Sequence, residues 1–204
     1  MRFYNYELVK RGFDKSFAGF CLFCSIPLWV VIPFSIWLED RGPVFFEQKR
    51  VGRGQIKFIL FKFRSMIKNA EIAGEPVMAV SLDPRITRVG YWLRKTALDE
   101  LPQLINIWKG DMSFVGPRAL RESEKIMGEH GEVLVHMYQI EGFSLRQSVR
   151  PGLTGMAQVY AARDINHRYK FKYDLLYIKR MSLGVDLKLI LTSFWFTFTA
   201  KWNV

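Results

Sequence analysis

The stretch FAGFCLFCSIPLWVVIPFSIWL, residues 17–38, decides the fold of this 204-residue chain. It contains no charged residue, and a helix of this length can cross the roughly 30 Å of hydrocarbon in a bilayer. A cleaved signal peptide is disfavoured, because the stretch lacks an A-x-A-like cleavage site and Glu39, Asp40 and Arg41 follow at once. The sequence therefore predicts that the chain meets a membrane.

Prolines and basic flanks bear on whether this stretch crosses the bilayer. Pro27 and Pro33 are expected to kink a helix, and Ser25 can bond a freed carbonyl. Basic residues on both sides favour the cytoplasmic face for both ends, so the pattern favours a helix that bends and returns. An ordinary kinked spanning helix stays open as the alternative. The basic residues are Arg2, Lys10, Arg11 and Lys15 before the stretch and Arg41, Lys49, Arg50 and Arg53 after it.

Composition and charge limit the remaining classes. Half of the residues are hydrophobic, which is enough for the core of one domain. The net charge of +11 favours anionic partners such as nucleic acid, phospholipid headgroups or a phosphorylated substrate. No recognised DNA- or RNA-binding motif is present, and the apolar stretch argues against a nucleic-acid partner. Cys21 and Cys24 form a C-x-x-C inside that stretch and are expected to serve in apolar packing or lipid contact.

Turn signals divide the chain after the apolar stretch. Residues 43–46 and 57–61 are predicted strands of a β-hairpin, joined by the turn-rich residues 51–55. Residues 75–85 are polar, contain two prolines and are predicted to be irregular. The glycine-bounded segments 110–118 and 150–155 are predicted loops, which either present backbone N–H groups to an anion or form simple turns.

Helices are predicted in four further places. Residues 118–138 and 169–181 have helical patterns, and the apolar residues 189–200 are too few to span a bilayer and suit an interfacial or core helix. A fourth helix is expected to begin near Asp99 and end at Gly110. Its apolar face, at i, i+3, i+4 and i+7, consists of Leu101, Leu104, Ile105 and Trp108.

Asp99 and Glu100 are the residues most suited to chemistry. A carboxylate can attack a phosphoryl group or bind a Mg²⁺ ion that neutralises a diphosphate, and arginine forks bind phosphate. The alternative is structural: Thr96-x-x-Asp99 has the spacing of a capping box, and spacing alone favours that interpretation. Neighbouring helical positions point about 100° apart, so the two carboxylates would have different roles. The surrounding arginines are Arg85, Arg88, Arg94, Arg118 and Arg150.

Four longer motifs stand out in the sequence: KFRSM at 62–66, LDELPQLINIWKGDMSFVGPR at 98–118, VRPGLTGMAQV at 149–159 and YDLLYIKRMSLGVDLKLI at 173–190. Together they resemble the bacterial sugar transferase family, the monotopic phosphoglycosyl transferases, in its small form. The resemblance implies an α+β, mostly helical fold. Residues 1–40 would form a basic N-terminus and a re-entrant membrane helix-break-helix. Residues 41–204 would form a cytoplasmic catalytic domain at the membrane interface, with interfacial amphipathic helices and a short β-hairpin.

The same resemblance implies an activity. A sugar 1-phosphate would pass from a UDP-sugar to undecaprenyl phosphate with release of UMP, through a covalent aspartyl phosphosugar. Asp99 would be the nucleophile and would bind Mg²⁺, whereas Glu100 would either activate the acceptor or position the metal. The phosphate-binding residues implied are Lys62, Arg94, Arg118, Arg150, Pro151 and Gly152.

Location and partners follow from the resemblance as well. The enzyme would lie in the bacterial cytoplasmic membrane, contact its phospholipids and be able to form a homodimer there. Relatives commonly carry Ser directly before Pro at the helix break, whereas here Ile26 separates Ser25 from Pro27. The kink is expected to survive through Pro27, with Ser25 as a supporting residue. A membrane-anchored scaffold of polysaccharide assembly, which needs no reactive Asp99, is the alternative function.

Overall fold

The computed structural model describes residues 2–68, 70, 83–121, 125–127, 133–162, 165 and 167–199. Most of the predicted irregular segment 75–85 lies outside these residues. The α-helices are α1 (Arg2–Cys24), α2 (Leu28–Asp40), α3 (Arg88–Lys95), α4 (Gln103–Lys109), α5 (Phe143–Arg146), α6 (Met156–Tyr160), α7 (His167–Arg180) and α8 (Leu183–Phe198). The strands are β1 (Phe45–Val51), β2 (Lys57–Phe63), β3 (Ser113–Val115), β4 (Lys125–Met127), β5 (Val133–His136) and β6 (Gly152–Thr154).

The apolar stretch forms a bent helix pair. Among the described helices none is long and apolar enough to cross a bilayer alone, but α1 from Tyr6 onward and α2 together have the required length and composition, with a bend of 63°. The Ser25 hydroxyl donates to the carbonyl of Leu22 at 3.0 Å and accepts from Trp29 Nε1 at 3.1 Å. Ser25 thus bonds both sides of the break despite the intervening Ile26. Pro27 is the N-cap of α2, where its missing N–H costs no helical hydrogen bond.

Both ends of the bent pair are bound to the rest of the protein. Lys10 of α1 donates to the buried Asp186 of α8 at 2.5 Å, and Tyr6 donates to the same carboxylate at 2.7 Å. At the end of α2, Glu39 accepts the backbone N–H groups of Arg88 and Val89, the first two residues of α3. Both helices of the bent pair are therefore attached to the part of the protein that follows them in sequence. The bend is the point of the pair that lies farthest in sequence from the two attachments.

The core forms where α1 meets the following elements. Ala18 packs in one buried cluster with residues of α4, β3 and α8, including Ile107, Val115 and Leu189. Phe17 of α1 lies 4.9 Å from Phe114 of β3, measured between ring centroids. A second cluster joins the apolar side of α2 to β2 and α3 through Ile32, Ile36, Phe63 and Leu93.

The predicted β-hairpin is confirmed. β1 and β2 pair antiparallel from Phe45↔Phe63 to Val51↔Lys57. The first strand begins two residues later than predicted and continues through Val51, because Val51 pairs within the ladder and its N–H also bonds the carbonyl of Leu120. The connection between the strands, residues 52–56, is shifted by one residue from the predicted turn 51–55.

The helix predicted over residues 118–138 is wrong. β4 and β5 lie in this segment and pair antiparallel, with Lys125 opposite His136. The pairing supplies these backbone segments with the hydrogen bonds that a helix would otherwise provide.

The two segments predicted as loops, 110–118 and 150–155, contain β3 and β6, which pair parallel. Gly152 makes this possible, since a Cβ at that position would lie 2.1 Å from the backbone nitrogen of Gly116. The pairing joins residues far apart in sequence, which local turn signals do not indicate.

The helix predicted to begin near Asp99 has the expected end and a different start. Gly110 closes it in the left-handed conformation, φ 105°, with its N–H bonded to the carbonyl of Asn106. The start moves to Gln103, after the N-cap Pro102. The helix predicted over 169–181 is confirmed as α7, and the apolar residues 189–200 fall largely within α8.

Removal of the Asp186 carboxylate alone is expected to destabilise the fold strongly, because its ion-pair partner Lys10 is also buried. Asp186→Leu leaves the Lys10 ammonium buried without a partner, which costs on the order of 3–5 kcal/mol. Thermal unfolding in detergent is expected to show a strongly lowered midpoint. The double variant Lys10→Met/Asp186→Leu is expected to recover most of the loss, and Glu141→Leu at an exposed position serves as the control. An unchanged midpoint in Asp186→Leu would contradict this role.

Candidate active site

Asp99 and Glu100 lie in a short 3₁₀ turn, Leu98–Glu100, between α3 and α4. The turn follows Ala97, whose left-handed backbone (φ 55°) redirects the chain at the end of α3. Thr96 is the C-cap of α3, and its hydroxyl donates to the carbonyls of Trp92 and Leu93. The capping-box interpretation of Thr96 and Asp99 is therefore wrong, and the Asp99 side chain is not needed to start a helix.

Lys62 reaches the two carboxylates from β2. Its Nζ donates to Glu100 Oε1 at 2.5 Å and lies 3.9 Å from Asp99 Oδ2. One ammonium group thus faces two carboxylates and forms a hydrogen bond with only Glu100 of the two. Asp99 is buried and keeps a longer electrostatic contact with Lys62.

The environment separates the pKa values of the pair. Burial raises the pKa of Asp99 to about 6, with the opposing effect of Lys62 and a further rise from the negative charge of Glu100. Burial also acts on Glu100, but the charge and hydrogen bond of Lys62 outweigh it, so the pKa of Glu100 is lowered. Neighbouring carboxylates with separated pKa values are typical of catalytic pairs.

Two polar residues of α4 support this cluster. Gln103 is buried and hydrogen-bonds Glu100. Asn106 is fully buried; its amide accepts from the N–H of Phe61 at 3.1 Å and donates to the carbonyl of Ile59 at 2.7 Å. Asn106 thereby fixes β2 against α4, one residue before Lys62.

The sequence interpretation missed Gln103 and Asn106. It assigned the buried face of the helix to Leu101, Leu104, Ile105 and Trp108, whereas Trp108 is exposed and the buried residues of α4 are Gln103, Leu104, Asn106 and Ile107. The available signal was the i, i+3 spacing of two amides within an otherwise apolar helix.

The other predicted phosphate-binding residues fall into two groups. Arg94 and Arg118 are exposed. The charge of Arg94 partly offsets the rise that burial causes in the pKa of Asp99, and the charge of Arg118 contributes to the lowered pKa of Glu100. Arg150 instead pairs with Glu7 of α1 at 3.2 Å. The Pro151 carbonyl accepts from Ser113, and the Gly152 N–H donates to the carbonyl of Pro117, so both backbones serve the β3–β6 contact. A role for Arg150, Pro151 and Gly152 in phosphate binding stays a prediction.

The residues present fit a Mg²⁺ ion bound partly by substrate. Among the described residues, no three His, Cys, Asp or Glu side chains converge on a site made by protein alone. Mg²⁺ commonly takes one or two carboxylates and completes its shell with water and substrate phosphates. The Asp99 carboxylate, buried and with a raised pKa, is a group that a cation would stabilise.

Motifs, fold and site together identify the family. The bacterial sugar transferase family model matches residues 5–200, and the chain belongs to that family. It is 41% identical over 189 residues to the UDP-N-acetylgalactosamine-undecaprenyl-phosphate N-acetylgalactosaminephosphotransferase of Aeromonas hydrophila, covering 91% of this chain and 42% of that protein. It is 36% identical over 193 residues to the UDP-glucose:undecaprenyl-phosphate glucose-1-phosphate transferase of Escherichia coli K12, covering 90% and 39%.

For one shorter relative, the match covers a larger share of the relative's length. The exopolysaccharide production protein ExoY of Rhizobium meliloti is 34% identical over 197 residues, which are 90% of this chain and 82% of that protein. The chain thus spans less than half of the Aeromonas and Escherichia proteins and most of the Rhizobium protein.

Asp99→Asn is expected to stabilise the protein at neutral pH. Because the pKa of Asp99 is raised from 3.8 to about 6, the stability that its protonated form provides is lost as pH rises through 6. Replacing the carboxyl with a neutral amide should therefore increase the free energy of unfolding by on the order of 2 kcal/mol at pH 7, with the difference shrinking toward pH 4. Denaturant unfolding at several pH values measures this.

Asp83→Asn is the matched control, with the opposite sign. Hydrogen bonds from Arg85 lower the pKa of Asp83 to about 2, so its stabilising effect is present above pH 4 and lost as pH falls through 2. The Asp83 variant is expected to be less stable than the unmodified protein at pH 7. A destabilised Asp99→Asn at pH 7 would contradict the environment described for Asp99.

Proposed function

We propose that the protein transfers a sugar 1-phosphate from a UDP-sugar to undecaprenyl phosphate. One observation carries the proposal. Asp99 is buried beside the Glu100–Lys62 pair, in the same part of the protein to which both ends of the bent apolar helix pair are attached. Such an arrangement gives a reactive carboxylate to a protein that meets a membrane. The names of the family and of the relatives support the same reaction.

The bent pair is proposed to enter the membrane and return to the same face. Because α1 is bound to Asp186 and α2 to the start of α3, a spanning arrangement would have to break one of these attachments. Large apolar side chains around the bend are exposed and would contact lipid. They include Phe20, Phe23, Ile26, Val30, Val31 and Phe34.

The catalytic body is proposed to lie on the cytoplasmic face. The basic residues that flank the apolar stretch favour that side, and the first leg carries Lys10 and Arg11 into contact with the body. α8 presents exposed apolar residues beside its packed side, as expected of an interfacial helix. The exposed residues are Leu187, Leu191, Phe194, Trp195 and Phe198.

In the first step the Asp99 carboxylate oxygen attacks the phosphorus bonded to the sugar. A bond forms between Asp99 and phosphorus, the P–O–P linkage breaks, and UMP leaves with the bridging oxygen. With a pKa of about 6, Asp99 is ionised at neutral pH and more basic than an ordinary aspartate. The positive charges of Lys62, Arg94 and Arg118 surround the pair and would offset the charge of the diphosphate.

In the second step an oxygen of undecaprenyl phosphate attacks the same phosphorus, and the bond to Asp99 breaks. The product is a polyprenyl diphosphate sugar, and the Asp99 carboxylate is restored. Glu100 holds the Lys62 ammonium at 2.5 Å, which keeps a positive charge next to Asp99 through both steps. A Mg²⁺ ion bound at Asp99 would supply further neutralisation of the diphosphate.

UMP release in native-like lipid particles with Mg²⁺ tests the reaction. The donor panel should include the UDP derivatives of N-acetylgalactosamine, glucose and galactose, because relatives are named for these sugars. With the correct donor and no polyprenyl phosphate, we expect at most one UMP per protein; turnover should require the lipid. Asp99→Asn should release none, since the amide cannot form the covalent intermediate, while Glu141→Gln should match the unmodified protein.

Equal release by Asp99→Asn and the unmodified protein would contradict the covalent mechanism. A scaffold protein would show no release with any donor and would support polysaccharide assembly equally well as Asp99→Asn. Retained complementation by Asp99→Asn in a deletion strain would therefore favour the scaffold over the enzyme.

The pH dependence of single-turnover UMP release is expected to follow the ionisation of Asp99. The rate should fall about tenfold per pH unit once Asp99 is mostly protonated, because only the carboxylate attacks; a Mg²⁺ ion at Asp99 would place this limb below the pKa of about 6 of the metal-free site. Lys62→Met should move this acid limb to higher pH, since loss of the ammonium removes a charge that lowers the pKa of Asp99. Lys188→Met, at an exposed position of α8, is the control. An unmoved limb in Lys62→Met would contradict the assignment to Asp99.

A further inference from the structure

A groove of about 240 Å³ runs between α2 and α3 and reaches the turn that carries Asp99. α2 contributes Ile32 and Ser35, and Leu98 lies at the other end. Leu98 directly precedes Asp99, and consecutive Cα atoms are about 3.8 Å apart. The groove therefore connects α2 of the bent helix pair to the turn that carries Asp99.

The lining of the groove is apolar. Val89 and Trp92 of α3 contribute to its wall. Its two hydroxyl groups are already satisfied: Ser35 donates to the carbonyl of Val31 at 2.8 Å, and Thr96 donates to that of Trp92 at 2.8 Å. The groove thus offers little to a polar ligand and suits a hydrocarbon.

The groove has charged groups near Leu98 and apolar surface along α2. A lipid phosphate has the same division between its charged head and its apolar tail. The Leu98 end adjoins Asp99, which lies in the field of the Lys62 and Arg94 cations. On the α2 side, the lining residues Ile32 and Ser35 are next in sequence to the exposed apolar residues Val31 and Phe34. An amphiphile with a single anionic head and a single hydrocarbon tail matches this distribution.

We propose that the groove binds the isoprene units next to the phosphate of the polyprenyl phosphate acceptor. This proposal rests on the proposed function and assigns the part of the protein that aligns the acceptor. Bound there, the first units hold the phosphate at the Asp99 turn, while the remaining tail leaves along α2 into the membrane. An ordinary diacyl phospholipid has two tails on a glycerol head, so it cannot place a single chain and its phosphate in the same way.

Protection of a cysteine in the groove tests the binding site without turnover. Cys21 and Cys24 are free and would be replaced by Ala and Ser to remove background labelling. Thr96→Cys in that background should react with a maleimide more slowly, by about tenfold, when undecaprenyl phosphate saturates the particles. Leu191→Cys on the exposed side of α8 should label at an unchanged rate.

Phospholipid controls decide whether the site is specific. Phosphatidic acid carries a phosphate on a diacyl lipid and phosphatidylcholine carries a zwitterionic head; neither should protect Thr96→Cys at the same concentration. Equal protection by phosphatidic acid would show a general anionic-lipid groove and overturn the proposal. Unprotected Thr96→Cys in saturating undecaprenyl phosphate would overturn it as well.

A groove-filling variant separates acceptor binding from the first step. Ser35→Phe should raise the KM for undecaprenyl phosphate about tenfold, through loss of apolar burial for one isoprene unit, and leave single-turnover UMP release unchanged. Val30→Phe, at an exposed position of the same helix that does not line the groove, should change neither. An unchanged KM in Ser35→Phe would overturn the proposal. If no donor gives UMP but Thr96→Cys is still protected, the groove stands and the proposed transferase reaction falls.

Discussion

The carboxylate of Asp186 is the contact on which the arrangement of the bent helix pair depends. It is almost fully buried and accepts hydrogen bonds from Tyr6 and Lys10 of α1 and from Tyr177 of α7. Tyr177 also donates to the carbonyl of Val115, so the same network reaches β3. A buried ion pair of this kind is costly to break from one side. It therefore fixes the direction in which α1 leaves the body, and with it the position of the whole bent pair.

The second helix of the bent pair, α2, is attached through the Glu39 carboxylate and not through a buried ion pair. The two attachments together position the turn that carries Asp99. Glu39 accepts the first N–H groups of α3, and favourable interaction with the helix dipole reinforces that contact. α3 then leads within a few residues to Asp99. The end of α2 and the turn that carries Asp99 are thus connected by one short helix, α3.

Local signals predicted those parts of the fold that depend on neighbouring residues. The break at Ser25–Pro27, the β-hairpin, the end of α4 at Gly110 and the helix α7 all follow from proline, turn or periodicity patterns. Features made by distant residues were not predictable in this way. The parallel pairing of β3 with β6 joins residues nearly forty positions apart. The bonds from Asn106 to β2 likewise join α4 to a strand more than forty residues earlier, and β4 and β5 form because each strand supplies the other with hydrogen-bond partners. The pair Asp99–Glu100 was visible in sequence, whereas Lys62 was named only through the family resemblance, as a phosphate-binding residue, and its contact with the two carboxylates was not predicted.

The pairing of one ammonium with two carboxylates explains how adjacent acids acquire different properties. Burial acts to raise the pKa of both carboxyls; the hydrogen bond and charge of Lys62 outweigh burial at Glu100, whereas at Asp99, 3.9 Å from Lys62, burial outweighs the charge and the pKa is raised. The difference depends on a few ångströms in the position of β2 relative to α4, which Asn106 sets through backbone bonds on either side of Leu60. Burial of an aspartate with incomplete charge compensation lowers the stability of the fold. The same environment makes the carboxylate a better nucleophile. The energetic cost is tolerated because β2, α3 and α4 hold the turn from three sides, so that the carboxylate cannot relieve its burial by moving into solvent.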